Sequence, residues 1–167
     1  DFSAAEVHRL LQAANVPMRA MILLGINCGF GNTDASRLEW SDIELTTKRG
    51  KAVGGWHNLP RSKTGVYRRA PLWKETVDAL LQVKAMRAEM DRRQAPPPEL
   101  ANRVFITLKR MAYVHLSPVD GTRGGRSVDS VRLEFARLMR DCGLTPRRKK
   151  GEPRRPACRG FYALRHT

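Results

Sequence analysis

Apolar residues recur every three or four positions over the first forty residues, and that spacing predicts helices. Ser3-Ala4-Ala5-Glu6 has the form of a capping box, in which the Ser3 hydroxyl takes a free helix N–H and Glu6 reaches back. Val7, Leu10, Leu11 and Ala14 then make one apolar stripe. Pro17 suits the first turn of a second helix. Its run Met21-Ile22-Leu23-Leu24-Gly25-Ile26 is the longest apolar stretch in the chain and reads as a buried segment. Gly29-Phe30-Gly31 interrupts it, and Thr33 and Asp34 start a short third helix through Ala35, Leu38 and Trp40.

From residue 43 the period changes to two. Ile43 and Leu45 predict a short strand, Lys48-Arg49-Gly50 a turn, and 52–59 a second strand. Ser62-Lys63-Thr64-Gly65 is turn chemistry, followed by a third strand over 66–71, which places Lys63 at or near a hairpin tip. Trp73, Val77, Leu80, Leu81 and Lys84 mark a long amphipathic helix ending near Met90, and the proline run 96–98 breaks it. Val104-Phe105-Ile106 reads as a short buried strand or extended segment, and 117–125 as a loop. Ser127 is placed to cap a helix carrying Val128, Val131, Phe135, Leu138 and Cys142, with Gly143 as its stop. Residues 145–159 are basic and contain proline, so they read as a solvated loop; helical patterning resumes at Phe161. The expected fold is mainly α with a small three-stranded antiparallel sheet.

At 167 residues the chain suits one domain with a real core. An opening on Asp rather than Met predicts an excised domain, and nothing at the start resembles a signal peptide. No apolar run approaches the roughly 18 residues that span a bilayer, so no membrane partner is expected. Cys28, Cys142 and Cys158 are too few and too irregular for a disulfide framework or a zinc site. Cys28 and Cys142 fall on apolar helix faces, and a reducing cytoplasm is the expected compartment.

Charge changes the picture most. The net charge is +15, and it is unevenly placed. Up to residue 102 there are 15 basic against 11 acidic side chains; beyond it, 16 against 5. Such concentration is the footprint of a polyphosphate partner. An acidic membrane or RNA would satisfy charge alone, so an RNA-binding protein is one alternative.

Three segments, in order, narrow the choice. The first is Cys28-Gly29-Phe30-Gly31-Asn32-Thr33-Asp34-Ala35-Ser36-Arg37-Leu38-Glu39-Trp40-Ser41-Asp42-Ile43. The second is Arg61-Ser62-Lys63-Thr64-Gly65 with Arg68-Arg69-Ala70-Pro71-Leu72. The third is Tyr162-Ala163-Leu164-Arg165-His166-Thr167. Together they resemble the catalytic domain of the tyrosine recombinases, the phage-integrase family. They match its two signatures and its hairpin lysine, spread over nearly the whole chain.

The resemblance implies cutting and rejoining of double-stranded DNA through a 3′-phosphotyrosine, without metal, nucleotide or other cofactor, by several recombinase protomers. Arginines aimed at the non-bridging oxygens would stabilise the extra negative charge of the pentavalent transition state. Arg165 matches the second of two such arginines, and Lys63 the lysine that protonates the leaving 5′-oxygen. Arg61, Arg68 and Arg69 are expected on DNA phosphates. The run Arg147, Arg148, Lys149, Lys150, with Arg154 and Arg155, is expected on DNA backbone too.

The departures carry equal weight. Gly31 stands where the family has its first arginine, and can offer only a backbone N–H; Arg37 and Arg19 are weak substitutes. Tyr162 stands at the family's first histidine, where it can donate a hydrogen bond but is a poor base near neutral pH. Packing beside Phe161 would explain it equally well. Asp34 matches a supporting acidic residue, and is also a good helix-start carboxylate. His166 is expected to be structural; His8, His57 and His115 have no partner spacing. The family's nucleophilic tyrosine and its N-terminal core-binding domain are expected outside the chain. Residues 1–167 are thus expected to be a single, partial catalytic domain, with a catalytically degenerate DNA-binding module as the alternative.

Overall fold

Helix α2 (Val16–Cys28) is apolar almost all round, and most of its residues from Pro17 onward are buried. The computed structural model describes residues 1–60, 64–117, 126–145 and 159–167, and packs three other helices, one strand and the C-terminal turn against this helix. Helix α1 (Ala4–Ala13) starts on the capping box: Glu6 N–H donates to Ser3 Oγ at 3.3 Å, and Ser3 N–H to Glu6 Oε2 at 2.8 Å. Helix α3 (Asn32–Arg37) follows α2 after a sharp turn. Strands β1 (Ile43–Lys48), β2 (Lys51–His57) and β3 (Ala70–Leu72) form an antiparallel sheet in the order β1-β2-β3. Helix α4 (Lys74–Arg93) packs on both α2 and β2. Strands β4 (Val114–Ser117) and β5 (Arg126–Asp129) pair antiparallel, and β5 runs straight into helix α5 (Ser130–Asp141).

The chain closes on a six-residue 3₁₀ turn, Phe161–His166. Phe161 and Leu164 are buried against α2, and a Cβ added to Gly25 would lie 3.3 Å from Leu164 Cβ. A side chain at residue 25 would have to push Leu164 back by a few tenths of an ångström. Edge-on aromatic contacts continue the core, with Phe161 to Phe135 at 5.5 Å and Phe135 to Phe2 at 6.0 Å between ring centres. The two ends of the chain meet there. Phe2 N–H donates to Thr167 Oγ1 (3.3 Å), and Arg159 donates to Asp1 O (2.7 Å) and Glu6 Oε2 (2.9 Å) while lying 4.6 Å over the Phe2 ring.

The mainly helical fold and its three-stranded sheet agree with the pattern of the sequence, and several details differ. The third strand begins at Ala70, not residue 66. Its partner β2 leaves the ladder after His57, where Leu59-Pro60 ends the supply of pairing groups. The third helix stops at Arg37, and Trp40 starts a separate 3₁₀ turn, Trp40–Asp42. Helix α4 continues past Met90 to Arg93, where Glu89 pairs with both Arg92 and Arg93. Val104-Phe105-Ile106 is buried but forms no strand; Val104 N–H donates to Leu38 O instead. Ser127 is not a helix cap. It lies in β5, and Asp129 caps α5 by accepting from Arg132 N–H at 2.8 Å. This second sheet escapes pattern reading because Arg-Ser-Val-Asp presents no apolar face.

Two outcomes follow from the packing of the chain ends. Gly25→Val should force the Phe161–His166 turn off α2 and cost about 1–3 kcal/mol in urea denaturation, as overpacked cores do; an unchanged midpoint would contradict the close approach. The Arg159 guanidinium, with the Ser3 N–H, holds the Glu6 carboxyl down at about 2. Its contribution to stability is therefore present above the ordinary carboxylate range and is lost as pH falls from about 4.5 towards 2. The difference in melting temperature between the unmutated chain and Glu6→Gln should shrink over that interval, and a constant difference would remove the ion pair as its cause.

Candidate nucleic-acid interface

Helix α2 ends on Gly29, whose left-handed backbone (φ 65°, ψ 32°) lets the following Phe30 N–H fold back to Leu24 O at 3.3 Å. Phe30 then turns fully inward, and Gly31 leads into α3. The Gly31 N–H donates to Asp34 Oδ2 at 3.2 Å, so the one group this glycine could offer a ligand is already engaged. Arg68 approaches the same carboxylate oxygen, its Nη2 at 3.5 Å. Its guanidinium lies 4.8 Å above the Phe30 ring. The Arg68 and Asp34 side chains keep only 16% and 13% of their exposure.

Tyr162 and Arg165 come from the other end of the chain. A Cβ added to Gly31 would sit 3.4 Å from Tyr162 Cδ2, so the tyrosine ring lies along this glycine. The Arg165 guanidinium lies 4.7 Å over the Tyr162 ring and donates to its hydroxyl. Phe161 and Leu164 anchor the turn from within, which leaves Tyr162 outside and 54% exposed rather than packed beside Phe161. His166, expected in a structural place, is also exposed, 6.2 Å from the Tyr162 ring. Gly31, Asp34, Arg68, Tyr162 and Arg165 thus form one cluster, drawn from opposite ends of the sequence.

His57 closes this cluster from below. It is wholly buried on β2, edge-on to Phe30 at 5.0 Å. Its Nδ1 accepts from Leu59 N–H at 3.3 Å, which puts the proton of the neutral ring on Nε2, and Nε2 has no acceptor among the described residues. Burial first, and the Arg68 charge second, push its pKa down to about 4, against the opposing pull of Asp34. Cys28 is likewise pushed up to about 12 by burial, which keeps it an inert thiol.

Asn27 sets the position of the strand that follows Arg68 and Arg69. Its Nδ2 donates to Pro71 O (3.0 Å), and its Oδ1 accepts from Trp73 N–H (2.8 Å) and Thr76 Oγ1 (3.0 Å). One polar side chain on α2 thereby fixes the junction of β3 and α4. Arg69 lies on the outer side of the sheet, 4.6 Å over the exposed Trp56 ring and 3.5 Å from Glu44. On the far side of α3, Asn32 Nδ2 donates to Asp129 Oδ2 at 2.7 Å and ties the turn to α5.

Of the residues singled out by sequence, Arg165, Tyr162, Gly31 and Arg68 are brought together, and Arg69 stands apart on the sheet. Arg61, Lys63, Arg147, Arg148, Lys149, Lys150, Arg154 and Arg155 lie outside the described residues. Arg19 is committed elsewhere, its Nε donating to Leu11 O at 2.9 Å, and Arg37 is exposed at the end of α3. Sequence reasoning missed His57, Asn27 and the Arg68–Asp34 contact. For His57 a signal existed, because the alternation of the second strand puts it on the same inward face as Leu59. A separate cleft of about 590 Å³, lined among others by Met18, Met86, Ile106, Tyr113 and Glu134, shares no residue with the cluster.

No protein-family model and no curated protein matches the chain. Solved structures do. One is the crystal structure of XerA recombinase, at TM-score 0.62 and 19% identity over 87% of this chain and 44% of that one. Two others are XerH site-specific recombinase bound to difH substrate. The pre-cleavage complex matches at TM-score 0.59 and 17% identity, covering 99% of this chain and 40% of that one. The post-cleavage complex, on palindromic substrate, matches at 0.59 and 16%, covering 99% and 39%. The fold is shared with these recombinases. The chain spans less than half the length of these recombinases, and at this level of identity the likeness concerns the fold alone.

The buried ring of this recombinase-like fold allows a direct check. His57 should remain neutral at pH 5.5, its ring resonances titrating near 4 in NMR. Between about 6.5 and 4 the unfolded chain binds the proton and the folded one does not, so stability drops as the pH is lowered through that window. A titration near 6.5 would place His57 in water.

Proposed function

We propose that residues 1–167 are a partial catalytic domain of a tyrosine-recombinase-like integrase that acts on double-stranded DNA. The observation that carries this reading is the meeting of Arg165 and Tyr162 with the Gly31 turn, in the fold that the XerA and XerH recombinases share. One of those neighbours is seen with its difH substrate before and after cleavage, which supports DNA as the class of partner. The net charge of +15 supports it independently.

In this reading Arg165 binds a non-bridging oxygen of the scissile phosphate and strengthens that bond as charge accumulates in the transition state. Tyr162 orients Arg165 through the ring beneath its guanidinium and the hydroxyl that accepts from it. Lys63 supplies the proton to the leaving 5′-oxygen. Arg61 and Arg69 hold flanking phosphates, as do Arg147, Arg148, Lys149, Lys150, Arg154 and Arg155. The attacking tyrosine hydroxyl comes from outside this chain, other protomers complete the assembly, and the compartment is the cytoplasm. Gly31 and Tyr162 favour a second reading, in which the parent keeps the fold and the DNA affinity but has lost strand cleavage.

The two readings separate on one substrate. The 167-residue chain should bind duplex DNA without forming a covalent adduct, and neutralising about four phosphates should cost it roughly a hundredfold in affinity between about 50 and 200 mM salt. A longer parent chain, given a nicked suicide substrate, should form a 3′-phosphotyrosyl adduct visible on a denaturing gel. Tight binding with no adduct favours the degenerate module. A clear preference of the chain for RNA over duplex DNA would sink both.

A further inference from the structure

We propose that Arg68 is a phosphate ligand of the Arg165 cluster and supplies the positive charge that Gly31 cannot. The proposal rests on the DNA-binding reading above and goes beyond it, because it moves Arg68 from a flanking contact on a strand to the centre of the site.

Three features of Arg68 set it apart from the other arginines of the sheet. Its guanidinium is folded inward over Phe30, at 4.8 Å, instead of extending into water as a hairpin arginine ordinarily does. Its contact with Asp34 is loose. Nη2 is 3.5 Å from Oδ2, near enough for ionic attraction but without a hydrogen bond, and Nε and Nη2 both lack acceptors among the described residues. Those two nitrogens form one edge of the planar guanidinium, the forked edge that fits the oxygens of a phosphate. Leaving such donors buried and unmatched costs stability, and an arriving anion would recover it.

The fourth feature is place. Arg68 Nη2 and the Gly31 N–H share one carboxylate oxygen, so the guanidinium stands directly beside the glycine. Tyr162, which carries Arg165 on its ring, lies against that same glycine. Two arginines from segments almost a hundred residues apart in sequence therefore flank one backbone turn. Asp34 holds the first and Tyr162 the second. The field of Arg68 is felt inside the cluster, where, after burial, it helps to keep His57 uncharged. A carboxylate behind a guanidinium also orients it and limits its motion, as a supporting residue does for a phosphate-binding arginine.

The space at Gly31 supplies the decisive experiment. Its φ of −94° is open to any residue, and an added Cβ would meet Tyr162 only at 3.4 Å, an ordinary contact. An arginine introduced there can therefore be tolerated. Binding of the chain to a labelled duplex is measured by fluorescence anisotropy over a salt series, for the unmutated protein, Arg68→Ala, Arg68→Lys and the double variant Gly31→Arg/Arg68→Ala. Arg92→Ala, which removes an exposed charge from α4, is the control and should change affinity by less than about twofold. Arg68→Ala should weaken binding by roughly tenfold or more and reduce the salt slope by about one phosphate. Arg68→Lys should recover part of the loss, because it keeps the charge without the fork. Gly31→Arg in the Arg68→Ala background should recover most of it.

Arg68→Ala binding within about twofold of the unmutated chain overturns the assignment. So does a loss that Gly31→Arg fails to restore, since that assigns Arg68 a structural part. Should Arg68→Ala prove unfolded by circular dichroism, Arg68→Gln, which keeps a planar polar group of similar reach but removes the charge and the fork, is judged by the same two criteria. Absence of duplex binding by the unmutated chain is a different result: it removes the DNA reading itself.

Discussion

The close approach of helix α2 to the C-terminal turn at Gly25 is the constraint on which the site depends. Phe161 and Leu164 are buried against this stretch of α2, and a side chain at residue 25 would press on both of them. Once they are seated, the 3₁₀ spacing throws Tyr162 and Arg165 outward on the same side as the Gly29–Gly31 reversal that ends α2. A contact made entirely of carbon atoms thus decides where the Tyr162 ring, with Arg165 upon it, meets Gly31. The Arg159 clamp and the Phe2–Phe135–Phe161 stack act on the same segment from its other side, so the turn is held by packing at both faces.

The second level of organisation is electrostatic, and it is economical with acid. Asp34 serves the Gly31 N–H and faces Arg68 through one oxygen, and burial keeps His57 neutral next to them. In a half-buried setting the attraction between charges is several times what water would allow. One carboxylate therefore suffices to hold the local backbone and an arginine, and it leaves the cluster with an excess of positive charge.

Much of this fold was legible in the sequence because its signals are local. The Ser3-Glu6 capping box, the apolar run of α2 and the stop at Gly29 each depend on residues within one turn of each other, and each is found as read. The three strands were legible as well, apart from the length of the third, which is set by where its partner leaves the ladder. The second sheet was not, since Val114–Ser117 and Arg126–Asp129 carry little apolar alternation and their pairing is a tertiary event. For the site, the motif residues Gly31, Tyr162 and Arg165 were legible as members of a set. Their geometry was not. That Arg68 turns inward to Asp34, or that Asn27 pins the following strand through Pro71, Trp73 and Thr76, is decided by contacts 34 to 49 residues apart in sequence. No periodicity encodes such contacts.

The stacking of Arg165 on Tyr162 has a consequence for binding that concerns entropy more than charge. A free arginine side chain samples many rotamers, and a ligand that captures it must meet the cost of freezing them, on the order of 2 kcal/mol. Here the ring beneath the guanidinium and the hydroxyl at its edge have already selected one arrangement in the unliganded protein. Much of that ordering is completed during folding, when the turn is sealed by Phe161 and Leu164, and little is left for the moment of encounter. The aromatic ring at this position presents the arginine as a rigid surface.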